Sequence, residues 1–157
     1  MTETPFASAK RIVVKTGSAL VAEHGQPRHA WLEKLAFDIV SLRSRGFQII
    51  LVSSGAVALG RKSVGNSVSN RLDQKQAAAA IGQLRLMSAI GQAFEPHDVT
   101  IGQALLTLGD TENRRRWLNA RATLETLLEF SFQTAVVDDA WAVRKSANWL
   151  EQSNNQG

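Results

Sequence analysis

The stretch "IVVKTGSAL", Ile12 to Leu20, runs three apolar β-formers into a lysine, with a glycine two residues later. An apolar run without alternation reads as a strand buried on both faces, the habit of parallel sheets. Gly17 and Ser18 then close the strand and open a loop. Glycine lets backbone N–H groups approach an anion, and Lys15 supplies a point charge for phosphate oxygens. A solvated lysine at a strand end accounts for the same residues. The glycine spacing is that of neither a Walker A loop nor a dinucleotide fingerprint.

Outward from this stretch, "RIVVK", "FQIILVSS" and "VTIGQALLT" read as strands buried on both faces, with "FQTAVV" a weaker fourth. Helical patterns lie between them. In "AWLEKLAFDIVSLRSRG", Leu32, Leu35, Ala36, Ile39 and Leu42 form one apolar stripe, and Gly46 stands where a terminating glycine would. "DQKQAAAAIGQLRLMSAIGQAF" is rich in alanine and leucine and predicts a long helix, in which Gly82 and Gly91 mark close packing. "DTENRRRWLNARATLETLLEF" predicts a helix with Asp110 as N-cap and Asn113 at the capping-box spacing. Strands alternating with helices imply right-handed crossovers between parallel strands. The expected fold class is therefore α/β, a three-layer α-β-α sandwich around a mainly parallel sheet. Ligands in such sheets collect beyond the carboxyl ends of the strands. The polar stretch "RKSVGNSVSNR", Arg61 to Arg71, reads as a mobile loop beside that edge.

Composition narrows the function classes. A chain of 157 residues with 44% apolar and 20% charged residues suits one soluble domain with a real core. No apolar run approaches the roughly 20 residues that span a bilayer, so no membrane partner is expected. Residues 1–10 carry no apolar segment behind a basic start, so a secretory signal is not expected and the cytoplasm is the default address. The absence of cysteine excludes disulfides and thiolate metal sites. A net charge of +4 permits an anionic partner without demanding one. With few aromatic residues and no tyrosine, there is no base-stacking platform, which argues against nucleic acid.

The second informative loop is "SSGAVALGR", Ser53 to Arg61, where two hydroxyls and a glycine end a strand and begin a small-residue helix. Exposed N–H groups at such a start attract a carboxylate or phosphate, and Ser54 could add a hydroxyl donor. An ordinary turn with serine as N-cap explains the pattern equally well. The histidines, His24, His29 and His97, lie in loop-like places without ligand spacing and read as surface residues. Arg114–Arg116 point in different directions on a helix and read as a solvated basic start. Trp31, Trp117, Trp141 and Trp149 read as packing groups.

Five blocks, "VVKTGSALV", "ILVSSGAVALGR", "KQAAAAIGQLRLM", "IGQALLT" and "RRRWLNARATLETLL", resemble those of the glutamate 5-kinases, in the same order and spacing. These enzymes belong to the amino-acid kinase family. The likeness spans roughly Arg11 to Glu129. It implies ATP-dependent phosphorylation of the γ-carboxylate of L-glutamate, with Mg²⁺, as the first step of proline biosynthesis. It further implies that Lys15 contacts the ATP phosphates, with Gly17 and Ser18 in the turn beside it. Ser54 would bind glutamate, with Gly55 and Ala56 shaping that loop. No protein metal ligand is implied. Proline feedback and a homo-oligomer built through the catalytic domain belong to the family and are implied on the same footing.

The pattern departs from the family after "LLEF". There the family continues into an Asn-Glu-Asn-Asp segment whose last aspartate binds glutamate. That aspartate falls on Ala140 without a gap, or on Asp139 with a one-residue shift. The expected organisation is a tail, 1–10, the first part of an amino-acid kinase-like domain, 11–139, and a diverged tail, 140–157. Missing from the pattern are the adenine pocket and a second phosphate-binding lysine. Catalysis by this chain alone is therefore set against two alternatives, a non-catalytic glutamate- or metabolite-binding module and a vestigial interaction protein.

Overall fold

The computed structural model describes residues 8–65, 72–106, 110, 112–130 and 133–137. Its elements run, in chain order, β1 (Arg11–Thr16), α1 (Ser18–Val21), β2 (Ala22–Glu23), β3 (Gln26–Pro27), α2 (His29–Ser44), β4 (Gln48–Ser53), α3 (Ala56–Val64), α4 (Leu72–Phe94), a 3-10 turn (Glu95–His97), β5 (Ile101–Leu105), α5 (Arg114–Glu129) and β6 (Gln133–Val137). The α/β class with parallel strands is the one expected. The expected C-terminal tail and the alternatives at Asp139 and Ala140 lie outside the described residues, as do Trp141 and Trp149. Two compact units share the chain. One holds residues 15–38 and 53–101; the other holds the described residues up to 14, 39–52 and those from 102 on.

The sheet has strand order β1-β4-β6-β5. The Gln48 N–H donates to the Lys10 carbonyl at 2.9 Å, and the Ser54 N–H donates to the Thr16 carbonyl at 3.1 Å. The two strands advance together, so β1 and β4 are parallel. Strand β4 carries five buried residues in succession, as a strand covered on both faces must. Ile50 and Val52 on one face pack with Leu106 and with Leu124 and Leu128 of α5, and Trp117 lies half-buried against the same cluster. Ile49 and Leu51 on the opposite face are equally buried. Each such leucine or isoleucine contributes about 1.5–3 kcal/mol. Full burial does not extend to β1 and β5. They are the outer strands of the sheet, and Leu105 stays 60% exposed.

Helix α5 starts later than expected. Its cap is Asn113, whose side-chain oxygen accepts from the N–H groups of Arg115 and Arg116 at 3.0 and 3.2 Å, so the cap is not Asp110. A cap oxygen must reach the second and third N–H of its own helix, and only Asn113 stands at that distance from Arg114.

In the unit holding residues 15–38 and 53–101, α3 and α4 cross with backbone against backbone at two glycines. A Cβ on Gly60 would lie 1.8 Å from the Ala78 carbonyl oxygen, and one on Gly82 would lie 1.7 Å from that of Ala56. Gly82 thus marks close packing, as the sequence suggested. Gly91 does not, because its nearest neighbour there is the Ile101 Cδ1 at 3.9 Å. Arg61 to Val64, expected in a loop, extend α3 to Gly65, where φ is +100°. Residues 66–71 of the expected loop lie outside the described residues. Of the expected α2 stripe, Leu32, Ala36 and Ile39 are buried and Leu35 and Leu42 half-buried, and Gly46 takes φ +92° just past the helix.

A short hairpin was not expected. β2 and β3 pair antiparallel around His24 and Gly25, which take φ of 50° and 72°. Two positive φ values make the tight turn whose twist suits a hairpin. Arg85 ties it down by donating to Gln26 Oε1 at 2.8 Å and to the Leu59 carbonyl at 2.7 Å. His24 and His29 are exposed, whereas His97 is half-buried with its ring 6.4 Å from that of Phe37. No helix among the described residues is long and apolar enough to cross a membrane.

The crossing sets a clear stability expectation. Gly82→Ala drives a methyl into a backbone carbonyl that no rotamer change can move aside, so the cost belongs at or above the top of the usual 1–3 kcal/mol for overpacking. Thermal unfolding followed by circular dichroism should show a fall in Tm of at least about 6 °C. Gly91→Ala, with space around it, should leave Tm unchanged or raise it.

Candidate active site

Lys15 is the penultimate residue of β1 and is exposed, while Thr16 behind it is 2% exposed. Alternation along a strand turns neighbouring side chains to opposite sides, which separates the solvated amine from the buried hydroxyl. Gly17 follows with φ −75° and ψ 158°, and Ser18 opens α1. On the adjacent strand Ser53 ends β4 at 1% exposure. Ser54 and Gly55 form the connection, and Ala56 begins α3. The Ser54 N–H bonds the Thr16 carbonyl, so the two loops leave neighbouring parallel strands at their carboxyl ends.

The loops also touch. Gly55 has φ +125°, and a Cβ there would lie 3.6 Å from the Ser18 Cα and 3.7 Å from Val21. All six residues singled out in the sequence, Lys15, Gly17, Ser18, Ser54, Gly55 and Ala56, therefore belong to one strand-end rim within one compact unit. Sequence reasoning missed the bond beneath them. Thr16 Oγ1 donates to Ser53 Oγ at 3.1 Å, with both hydroxyls buried. Only the adjacency of two strand-ending hydroxyls could have signalled it, and adjacency depends on the register.

The serine-cap alternative is not what the structure adopts. The N-cap of α3 is Gly55 and that of α1 is Gly17, neither with a side-chain cap bond. The first N–H groups of α3 are left without a serine acceptor and carry the partial positive charge of a helix start. Gly17 has no backbone reason to be glycine: its φ is ordinary, and a Cβ would meet nothing within 4 Å. Among the described residues Lys15 has no side-chain hydrogen bond or ion pair. An exposed cation, a bare loop, a hydroxyl and a helix start together suit two anionic groups side by side. No group of three or more His, Cys, Asp or Glu able to hold a metal occurs among the described residues. Burial depresses the Arg11 pKa, with Glu125 opposing and Arg121 adding to the effect, but Arg11 begins β1 and stands away from this rim.

Residues 10–140 match the model of the amino acid kinase family. A glutamate 5-kinase of Paramagnetospirillum magneticum is 54% identical over 128 residues, covering 80% of this chain and 35% of that protein. One from Caulobacter vibrioides is 56% identical over 126 residues, covering 78% and 33%. The chain thus spans about a third of the length of the curated relatives it matches. Among solved structures, a carbamate kinase from Giardia lamblia bound to AMP-PNP superposes with TM-score 0.53 at 11% identity, over 82% of this chain and 60% of that one. That likeness is one of fold.

The two loop glycines separate by experiment. Gly55→Ala forces an alanine into φ +125° and should cost about 1–3 kcal/mol in urea unfolding. Gly17→Ala should be neutral or slightly stabilising in the same measurement, since its conformation suits any residue.

Proposed function

The chain belongs to the amino acid kinase family, and on that premise we propose that it carries the phosphate-facing and acceptor-facing loops of a glutamate 5-kinase. The reaction is ATP-dependent phosphorylation of the L-glutamate γ-carboxylate to γ-glutamyl phosphate, the first step of proline biosynthesis. The observation that carries this reading is the meeting of the Lys15 and Ser54 loops at the carboxyl ends of adjacent parallel strands. Identity above 50% to glutamate 5-kinases over about four fifths of the chain supports the choice of substrate.

The chemistry suits the residues present. A γ-carboxylate, with a reference pKa of about 4.3, is already ionised at neutral pH and needs no general base. One carboxylate oxygen bonds the γ-phosphorus of ATP as the bond to the bridging oxygen breaks, and ADP leaves with that electron pair. No proton moves. The protein's task is alignment and charge neutralisation. Lys15 neutralises the phosphates, Gly17 and Ser18 let the backbone come close, and Ser54, Gly55 and Ala56 hold the glutamate. Mg²⁺, when bound, would add charge neutralisation at the phosphates beside Lys15. Such a reaction draws on cytoplasmic ATP and glutamate, and we place the protein there.

The test is hydroxamate trapping of γ-glutamyl phosphate with purified chain, glutamate, ATP and Mg²⁺. We expect Lys15→Ala to lower product at least about 100-fold with folding unchanged. Ser54→Ala should weaken glutamate binding by about tenfold in calorimetry. No product together with measurable glutamate binding would replace the catalytic reading with that of a binding module. Silence in both would remove either.

A further inference from the structure

Thr16 grips the Ser54 loop twice, and neither contact belongs to the ligand-facing set above. Its carbonyl accepts the Ser54 N–H at 3.1 Å. Its hydroxyl donates to Ser53 Oγ at 3.1 Å, and Ser53 Oγ in turn donates to the Ser54 carbonyl at 3.4 Å, a longer and weaker bond. The hydroxyl relay is sealed, with Thr16 2% and Ser53 1% exposed. One residue before it stands Lys15; one residue after its far end stands Gly55.

Stability alone does not account for this pair. A valine facing an alanine would fill nearly the same space without burying two polar groups, and replacing both partners of a buried hydrogen bond by apolar groups of similar shape is often neutral. The hydroxyls add direction. A hydrogen bond fixes the separation of its two atoms within a few tenths of an ångström, whereas apolar contact is indifferent to small slides. Phosphoryl transfer is sensitive to displacements of about 1 Å in its aligned groups. We propose that Thr16 and Ser53 are positioning residues: their buried hydrogen bond fixes the spacing between the Lys15 and Ser54 loops, and so between the two anions those loops hold. The assignment rests on the kinase reading above for the identity of those anions.

The test uses the full chain and four variants: Thr16→Val, Ser53→Ala, the double change, and Thr16→Ser, which keeps the hydroxyl. Three quantities are measured: Tm, hydrogen exchange at the Ser54 amide, and calorimetric affinity for AMP-PNP and for L-glutamate separately. The double variant should unfold within about 4 °C of the parent. Its Ser54 amide should nonetheless exchange at least about tenfold faster, and both ligands should bind about tenfold more weakly, because a loosened spacing misplaces both loops. Thr16→Ser should restore exchange and both affinities. Where the double change prevents folding, Thr16→Val against Thr16→Ser carries the same comparison. Unchanged ligand affinities in a folded Thr16→Val overturn the positioning role and leave the kinase reading intact. Loss of glutamate affinity alone in Ser53→Ala also overturns it, since that marks a direct contact. A parent chain that binds neither ligand overturns the kinase reading and the positioning role together.

Discussion

The parallel pairing of β1 with β4 is the constraint on which the rest depends. Lys10 meets Gln48 at one end and Thr16 meets Ser54 at the other, so the two strands run out together. A slip of one residue would turn the Thr16 hydroxyl outward and the Lys15 amine inward, because side chains alternate along a strand. The solid burial of β4 on both faces protects the register, since Ile50 and Val52 are claimed by α5 and Leu106 while Ile49 and Leu51 face the other way into equally buried surroundings. Hydrophobic pattern thus sets register, register sets adjacency, and adjacency brings an amine and a hydroxyl to one rim.

That rim is built almost without side chains. Lys15, Ser18 and Ser54 are its polar side chains, while Gly17, Gly55 and Ala56 leave the backbone bare. This fits the proposed reaction, in which the nucleophile would arrive ionised and the leaving group would be a stabilised phosphate anion. Nothing would have to abstract a proton in it; two of the histidines are exposed, and His97 lies beside Phe37. In the proposed reaction the electrostatic work would fall to Lys15 and to the helix start at Ala56, which no serine side chain caps.

Much of this was legible in the residues themselves. The alanine-rich run that became α4, the α2 stripe and the apolar run of β4 each satisfy a single period, and local pattern alone decides them. The two loops were legible because glycine and serine at strand ends are few and stand out. What could not be read was whatever depends on a partner distant in sequence. The outer position of β1 and β5 follows from strand order, not from their own apolar runs. The Thr16–Ser53 bond joins two hydroxyls from separate strands. The choice of Asn113 over Asp110 as cap turned on where helical geometry begins, and either residue could have served. The His24–Gly25 turn lay in a polar stretch whose strands are two residues each, too short to show alternation.

The crossing of α3 and α4 has a mechanical consequence. At most helix contacts, interlocking side chains absorb small shifts by swinging between rotamers. Between Gly60 and Ala78, and between Ala56 and Gly82, there is no such cushion, because backbone rests on backbone. Ala56 is also the residue at which the serine loop becomes helix. A displacement of that loop would therefore act on a stiff linkage, passed toward α4 by backbone rather than absorbed by side chains.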